Sequence, residues 1–149
     1  MDLGLRGARA LVTGGSRGIG FAVAEALAAE GAAVGIVARD AEGLASATGR
    51  LTAHGVPVVP FAADVTDTAA LTAAVDKIAR AIGGLDHLVA NVGGTVGGNL
   101  ADSAPGDFTA TFSLNAGHAA ELIRAGLPYL KDSAAAVAAR WISAALATA

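Results

Sequence analysis

Short runs of hydrophobic residues alternate along the chain with longer stretches in which hydrophobic residues recur every three or four positions. The short runs are mostly rich in β-branched residues and are bounded by Gly, Asp or Pro, a pattern typical of strands. They predict strands at residues 8–13, 33–38, 56–62 and 85–91. The stretches between them predict helices at residues 17–29, 41–53 and 68–82. This alternation indicates an α/β fold with a parallel sheet covered by helices on both faces.

The order of these elements also predicts the sheet topology. Right-handed crossovers give a doubly wound sheet of the Rossmann type, with about five strands in the order 3-2-1-4-5. A fifth strand is predicted within residues 135–143, although the alanines there favour a helix by propensity. Pro57 and Pro60 predict that the third strand lies at an edge. A crevice is expected where the order reverses, between strands 1 and 4.

Two features are predicted for the helices that follow the third and fourth strands. Thr66 or Asp67 is expected to cap the helix over 68–82, which ends at Gly83. After Pro105, hydrophobic residues recur at helical spacing, which predicts one long helix ended by Pro128.

Composition and charge exclude several classes of partner. The 149 residues carry a net charge of -3 with no run of like charges, so neither nucleic acid nor an anionic membrane surface is an expected partner. There are no cysteines and no long apolar segment, and we predict a cytoplasmic protein. Nothing divides the chain, so residues 1–149 are predicted to form a single dinucleotide-binding domain.

The strongest chemical signal is the run T-G-G-S-R-G-I-G at residues 13–20, between the first predicted strand and the first helix. Gly14 permits a tight turn, Gly18 lets phosphates approach the backbone, and Gly20 lets the helix pack close to the strand. With Ser16, Arg17 and Ile19, these glycines are predicted to hold a pyrophosphate at the helix N-terminus. An ATP-type P-loop is a poor alternative because no Lys-Ser or Lys-Thr follows.

Three further motifs follow in order, and with the glycine loop they cover about residues 5–130. They are Asp64-Val65 after the third strand, Ala90-Asn91-Val92-Gly93 at the end of the fourth, and Ser113-Leu114-Asn115-Ala116-Gly117 in the long helix. Together they resemble the short-chain dehydrogenase/reductase family. The resemblance implies hydride transfer between a nicotinamide dinucleotide and an alcohol or carbonyl compound. It also implies that Asp64 and Val65 contact the adenine, that Asn91 and Gly93 belong to the cofactor site, and that Asn115 is a member of the catalytic tetrad.

The choice of cofactor is decided at the end of the second strand. An acidic residue there binds the ribose diol of NAD(H), whereas a cation binds the 2′-phosphate of NADP(H). Ala38 stands where the acid falls in the NAD type, and Arg39 follows it. Arg17 adds a second guanidinium, and we therefore predict NADP(H) in preference to NAD(H). Asp40 remains as an alternative ribose ligand.

The family's catalytic Tyr-x-x-x-Lys pair has no counterpart in the sequence. Tyr129 is the only tyrosine, and the residue four positions later is Ser133, while Lys131 has the wrong spacing. Tyr129 is therefore interpreted as a packing residue. Ser143 loosely matches the family's catalytic serine, with an ordinary polar residue in an alanine-rich tail as the alternative.

We therefore expect a domain truncated relative to the family, with negligible turnover by the chain alone. The alternatives are a non-catalytic NADP(H)-binding pseudo-enzyme or assembly partner, or a shortened gene product. A homo-oligomer is expected, because the long helix packs against a partner subunit in this family. The three histidines lack ligand spacing, so no metal site is predicted, and they are interpreted as packing or surface residues.

Overall fold

The computed structural model describes residues 3–99, 101–131 and 140–141. The strands are β1 (Arg9–Thr13), β2 (Ala33–Ala38), β3 (Val58–Ala62), β4 (His87–Ala90) and β5 (Arg140–Trp141). The helices are α1 (Gly18–Ala29), α2 (Ala41–Thr52), α3 (Thr68–Ile82), α4 (Pro105–Phe112) and α5 (His118–Lys131), with a π-helical segment at Ser113–Gly117 between the last two. In these described ranges, no helix combines the length and apolar character that a membrane span requires.

The strands form one parallel sheet in the order β3-β2-β1-β4-β5, which confirms the predicted topology. The proposed fifth strand is present as the two-residue β5. β3, which contains Pro60 and follows Pro57, lies at the edge of the described sheet, with Pro60 opposite Ile36 of β2. An edge strand tolerates proline because only one of its sides must supply ladder hydrogen bonds.

Helices cover both faces of the sheet, as the uniformly apolar strands require. Successive strand residues point to opposite faces, so Leu11 and Val12 belong to different hydrophobic clusters. On one face, Val12 packs with Phe21 of α1 and Leu51 of α2. On the other, Leu11 packs with residues of α3 and α5, among them Leu122. Burial on both faces therefore explains why the strands contain runs of hydrophobic residues instead of alternation.

An aspartate side chain caps the amino end of α3. Asp67 accepts hydrogen bonds from the backbone N–H groups of Ala69 and Ala70 at 3.0 Å each, which confirms the predicted cap of α3. Gly83 ends that helix with a φ of 84°, in the left-handed region that favours glycine.

A π-helical segment interrupts the predicted long helix after Pro105. His118 donates its backbone N–H to the carbonyl oxygen of Ser113, five residues back. The carbonyl of Leu114, which an α-helix would offer to that N–H, instead lies 2.6 Å from Nδ1 of the His118 ring. The side chain has therefore taken the acceptor that would have continued the α-helical ladder.

The prediction that Pro128 ends the helix was wrong, since α5 continues to Lys131 with Pro128 inside it. Proline inside a helix removes one backbone hydrogen bond, and its ring crowds the carbonyl four residues earlier, so helices often kink or end there. Packing compensates locally, because the Tyr129 hydroxyl donates to Asp76 Oδ1 of α3 at 2.7 Å. The ring of Tyr129 also packs against the core cluster on that face, as its interpretation as a packing residue predicted.

An ion pair joins β1 to the loop before β4 near the amino ends of the strands. Arg9 donates Nε and Nη2 to the two carboxylate oxygens of Asp86, at 2.9 and 2.7 Å. The carboxylate is almost fully buried, and the hydrogen bonds to it raise the pKa of Arg9. This bidentate contact lies at the edge of the sheet opposite the predicted crevice. It ties together β1 and β4, the two strands that flank the crevice.

Candidate functional site

A cavity of about 940 Å³ opens at the carboxyl ends of β1, β2, β3 and β4. Its walls come from the segments that follow these four strands and from α4 and the π-helical segment. The predicted cofactor residues that line it are Gly14, Ser16, Arg17, Gly18, Ile19, Arg39, Asp64, Val65, Asn91 and Gly93. Residues of the glycine loop, of Asp64-Val65 and of the stretch at 90–93 are therefore brought together with Arg39 at one site.

The glycine loop adopts the backbone conformation that its sequence indicates. Gly14 and Gly18 have φ angles of 68° and 57°, in the left-handed region. Arg17 precedes α1 as its N-cap without a side-chain capping bond, and the first helical hydrogen bond runs from Phe21 N–H to the Arg17 carbonyl. The N–H groups of the first turn thus have no acceptor within the helix, and together with the helix dipole they favour an anion.

Gly20, the remaining predicted glycine, does not line the cavity but supports its floor. A Cβ atom at this position would overlap the carbonyl oxygen of Gly14 and would lie 2.5 Å from Nδ2 of Asn91. Gly20 therefore allows α1 to begin directly against the loop and the end of β4, as the sequence predicted.

Thr13 is a structural residue of this site that the sequence analysis did not identify. Its buried hydroxyl donates to the carbonyl of Val89 at 3.3 Å and accepts the N–H of Asn91 at 3.1 Å. This pair of bonds joins the carboxyl ends of β1 and β4, where the crevice begins. A hydroxyl directly after the apolar run of β1 was the available signal.

Charged side chains gather at the end of the cavity formed by β2 and β3. The Arg39 guanidinium is exposed, and its Nη1 lies 3.8 Å from Asp64 Oδ2. The backbone N–H of Thr66 donates to Asp64 Oδ1 at 2.9 Å and the Thr66 hydroxyl at 2.7 Å. These two hydrogen bonds, and then the positive charge of Arg39, lower the pKa of Asp64, which is ionised at neutral pH.

Asp40, the alternative ribose ligand, is engaged as the N-cap of α2. Its two carboxylate oxygens accept the backbone N–H groups of Glu42 and Gly43, at 3.1 Å each. A ribose diol would have to share these oxygens with the cap. At the end of β2, Arg39 is therefore the side chain with a charged group open to a ligand.

Asn115 ties the loop after β4 to the π-helical segment. Its Nδ2 donates to the carbonyl oxygens of Gly94 and Thr111 at 2.6 and 2.7 Å, and its Oδ1 accepts the Gly94 N–H at 3.1 Å. The side chain is not among the residues lining the cavity, although its neighbours Ser113 and Leu114 are. The structure thus gives Asn115 a supporting place beside the site, and its catalytic role stays a prediction.

The other candidate catalytic groups do not reach the cavity in the described part of the chain. Ser143 lies outside the described residues. The Tyr129 hydroxyl is bonded to Asp76, and this hydrogen bond, with burial, raises the pKa of the phenol. His118 is buried and burial lowers its pKa, so the ring is neutral at pH 7, with Nδ1 donating to Leu114. Its Nε2 is buried and has no hydrogen-bond partner among the described residues.

No group of three or more metal-ligating side chains comes together within the described ranges. The charged groups that line the cavity are two exposed arginines, Arg17 and Arg39, and two hydrogen-bonded carboxylates, Asp40 and Asp64. Backbone N–H groups and uncharged polar side chains complete its polar surface. Such a set suits an extended anionic ligand with an aromatic or apolar portion.

Comparison with known proteins agrees with this geometry. A family model described as short chain dehydrogenase matches residues 8–145. Over 121 residues the chain is 38% identical to a 3-dehydrosphinganine reductase of Arabidopsis thaliana, covering 80% of this chain and 35% of the plant protein.

Solved structures show the same likeness in three dimensions. A short chain dehydrogenase from Burkholderia cenocepacia in complex with NADP has a TM-score of 0.80 and 42% identity, over 85% of this chain and 52% of that chain. An NADH-dependent reductase complexed with NAD has a TM-score of 0.81 and 33% identity, over 90% of this chain and 56% of that chain. The chain therefore spans about half the length of these structures, and both dinucleotides occur among them.

Proposed function

The chain belongs to the short-chain dehydrogenase family, and from that premise we propose that it binds NADP(H) in preference to NAD(H) in the cavity at the carboxyl ends of the strands. This preference rests on the different surroundings of Asp40 and Arg39, the two charged residues that follow β2. Asp40 is occupied in capping α2, while the Arg39 guanidinium is open to solvent. A 2′-phosphate can therefore bind a cation there, whereas a ribose diol would have to share the Asp40 oxygens with the helix cap.

Each part of the cavity is assigned a part of the dinucleotide in this proposal. The pyrophosphate takes the N–H groups at the start of α1, next to Gly14 and Gly18. Arg39 and Arg17 take the 2′-phosphate, and Asp64 with Val65 flanks the adenine. Because β1 and β4 lie side by side, the other half of the ligand extends toward Asn91 and Gly93. The bound nicotinamide would supply or accept the hydride.

The reaction proposed for the whole protein is hydride transfer to or from an alcohol or carbonyl substrate. For this chain alone we propose negligible turnover. The one tyrosine is bonded to Asp76 on the α3 side of α5, and Lys131 does not follow it at the family spacing. Without a positioned proton donor, the step loses roughly 10²- to 10⁴-fold of its usual acceleration. A non-catalytic NADP(H)-binding protein is the second candidate, favoured by the same placement of Tyr129.

Calorimetric titration of the purified chain with NADPH and, separately, with NADH tests the proposal. We expect saturable binding of both, with NADPH bound at least about tenfold more tightly, because a charge-assisted contact to the 2′-phosphate contributes about 1.5–3 kcal/mol. Equal affinities would refute the assigned preference. No binding of either would refute the site.

We also propose that a second copy of the chain covers the exposed aromatic face of α4. Phe108 and Phe112 lie one helical turn apart and are 79% and 61% exposed, which is unusual for phenylalanine on a free surface. Homo-oligomers form most often through such self-complementary patches.

Light scattering should show a species larger than the monomer for the unaltered chain. Replacing both residues, Phe108→Ser and Phe112→Ser, should shift that species to the monomer, because each change removes apolar area from the contact. Leu3→Ser, at an exposed leucine outside α4, is the matched control and should leave the mass unchanged. A monomeric unaltered chain would contradict the proposal. The cytoplasmic location and the single-domain assignment remain predictions.

A further inference from the structure

The loop after β4 is fastened to one face of the helix that follows it. Asn115 bonds both backbone groups of Gly94, and one turn earlier Thr111 Oγ1 accepts the N–H of Val96 at 2.9 Å. One further turn back, the carboxylate of Asp107 lies directly beside Gly97. The loop thus runs along positions 115, 111 and 107, which are spaced four residues apart and share a helix face.

Val96 is one of two valines of this loop, with Val92, that line the cavity. It lines the cavity together with Ala110 and Leu114, and it is 40% exposed. Its backbone is fixed through Thr111, since its N–H bonds the hydroxyl and its carbonyl lies 3.5 Å from the same oxygen.

The sheet order sets which part of a ligand meets Val96. Arg39, Gly14 and Asn91 follow β2, β1 and β4, which are neighbours in that order. A dinucleotide with its adenosine at β2 and its phosphates at β1 therefore places its reacting half beside the loop after β4.

We propose that Thr111 is a positioning residue that holds the Val96 side chain against the reacting half of the bound dinucleotide. This inference rests on the proposed binding of NADP(H). Thr111 does not touch the ligand itself, because it acts through the backbone of Val96. The apolar wall formed by Val96, Ala110 and Leu114 would then favour a substrate with an apolar group beside its reacting carbon.

Two threonine variants separate the hydroxyl from the shape of the side chain. Thr111→Val keeps the shape and removes the hydroxyl, whereas Thr111→Ser keeps the hydroxyl. Thr109→Val is the matched control, because Thr109 is exposed on the same helix and its side chain makes no hydrogen bond to the loop among the described residues. Far-UV circular dichroism establishes that each variant is folded.

The first readout is amide hydrogen exchange of Val96 in the ligand-free chain. We expect exchange at least about tenfold faster in Thr111→Val, and near the unaltered rate in Thr111→Ser and Thr109→Val, because exchange follows local opening of the bonded N–H. Unchanged exchange in Thr111→Val would overturn the inference. This readout needs no ligand, so it does not depend on the proposed function.

The second readout is the fluorescence of bound NADPH, which responds to the surroundings of the nicotinamide ring. We expect Thr111→Val and Val96→Ala to change the emission of bound NADPH with little change in affinity, and Thr111→Ser to restore it. A changed Val96 exchange with unchanged emission would overturn the positioning role while leaving the cofactor proposal intact. An unaltered chain that binds no NADPH would refute the proposed function and, with it, this role.

Discussion

Gly20→Ala is expected to abolish measurable NADPH binding. The added methyl group would overlap the carbonyl oxygen of Gly14 and lie 2.8 Å from its carbonyl carbon. Neither atom can move without the rest of the loop, because the Gly14 N–H is bonded to the Val37 carbonyl at 2.7 Å. The start of α1 must therefore shift away from β1, and the N–H groups assigned to the pyrophosphate shift with it. We expect a loss of affinity of at least about 100-fold, and overpacking of about 1–3 kcal/mol in the free energy of unfolding.

Gly49→Ala is the matched control for this change. Gly49 lies in α2, and a Cβ there would meet no atom within 4 Å. Alanine in a helix interior should stabilise the chain by about 0.5–1 kcal/mol and leave NADPH binding unaltered. Titration calorimetry and urea unfolding followed by circular dichroism measure the two effects. NADPH binding by Gly20→Ala at the affinity of the unaltered chain would show that the loop does not hold the phosphates.

The sheet and the glycine loop could be predicted because local sequence determines them. The runs around Leu11 and Ile36 are apolar on both faces, which requires burial on both faces and a parallel sheet. Asp67 followed by helix-forming residues predicts a cap with its own hydrogen bonds. The left-handed φ of Gly14 is likewise a property that only glycine supplies readily.

Features that depend on particular side-chain hydrogen bonds could not be predicted from the pattern of hydrophobic and polar residues. The π-helical segment exists because the His118 ring takes the Leu114 carbonyl, a choice that helical propensity does not report. Pro128 stays inside α5. The residue after it, Tyr129, is anchored by a hydrogen bond to Asp76 of α3, which lies 53 residues away in sequence. The hydrogen bond between Thr111 and Val96 also joins two segments whose sequence patterns do not predict that they are in contact.

The cofactor preference lies between these two cases. The sequence placed Ala38 and Arg39 at the end of β2 but left Asp40 open as a ribose ligand. The structure shows that Asp40 caps α2, so its oxygens already accept two N–H groups. The same carboxylate can be a ligand in one local geometry and a cap in another, and the residue type alone does not distinguish them.

Arg39→Ala is accordingly expected to remove most of the preference for NADPH. The Arg39 side chain is 78% exposed and its Nη1 lies 3.8 Å from the nearest Asp64 oxygen, so little of its bonding capacity is used within the chain. An exposed guanidinium binds a phosphate more weakly than a buried guanidinium does, because water screens the charge. We therefore expect the affinity for NADPH to fall by about 10- to 30-fold. NADH lacks the 2′-phosphate and should keep its affinity. Titration of both dinucleotides into the variant measures the difference.

Arg124→Ala distinguishes a local contact from a loss of general positive charge. Arg124 is also exposed, but it pairs with Glu121 on α5 and does not line the cavity. Arg124→Ala removes the same formal charge as Arg39→Ala but no side chain of the cavity. It should therefore leave the ratio of the NADPH and NADH affinities unchanged. Added salt should weaken NADPH binding by the unaltered chain more than binding by Arg39→Ala, because the screened contact is absent from the variant. If Arg39→Ala weakened NADH and NADPH equally, the arginine would be supporting the adenosine end of the cavity and not binding the 2′-phosphate.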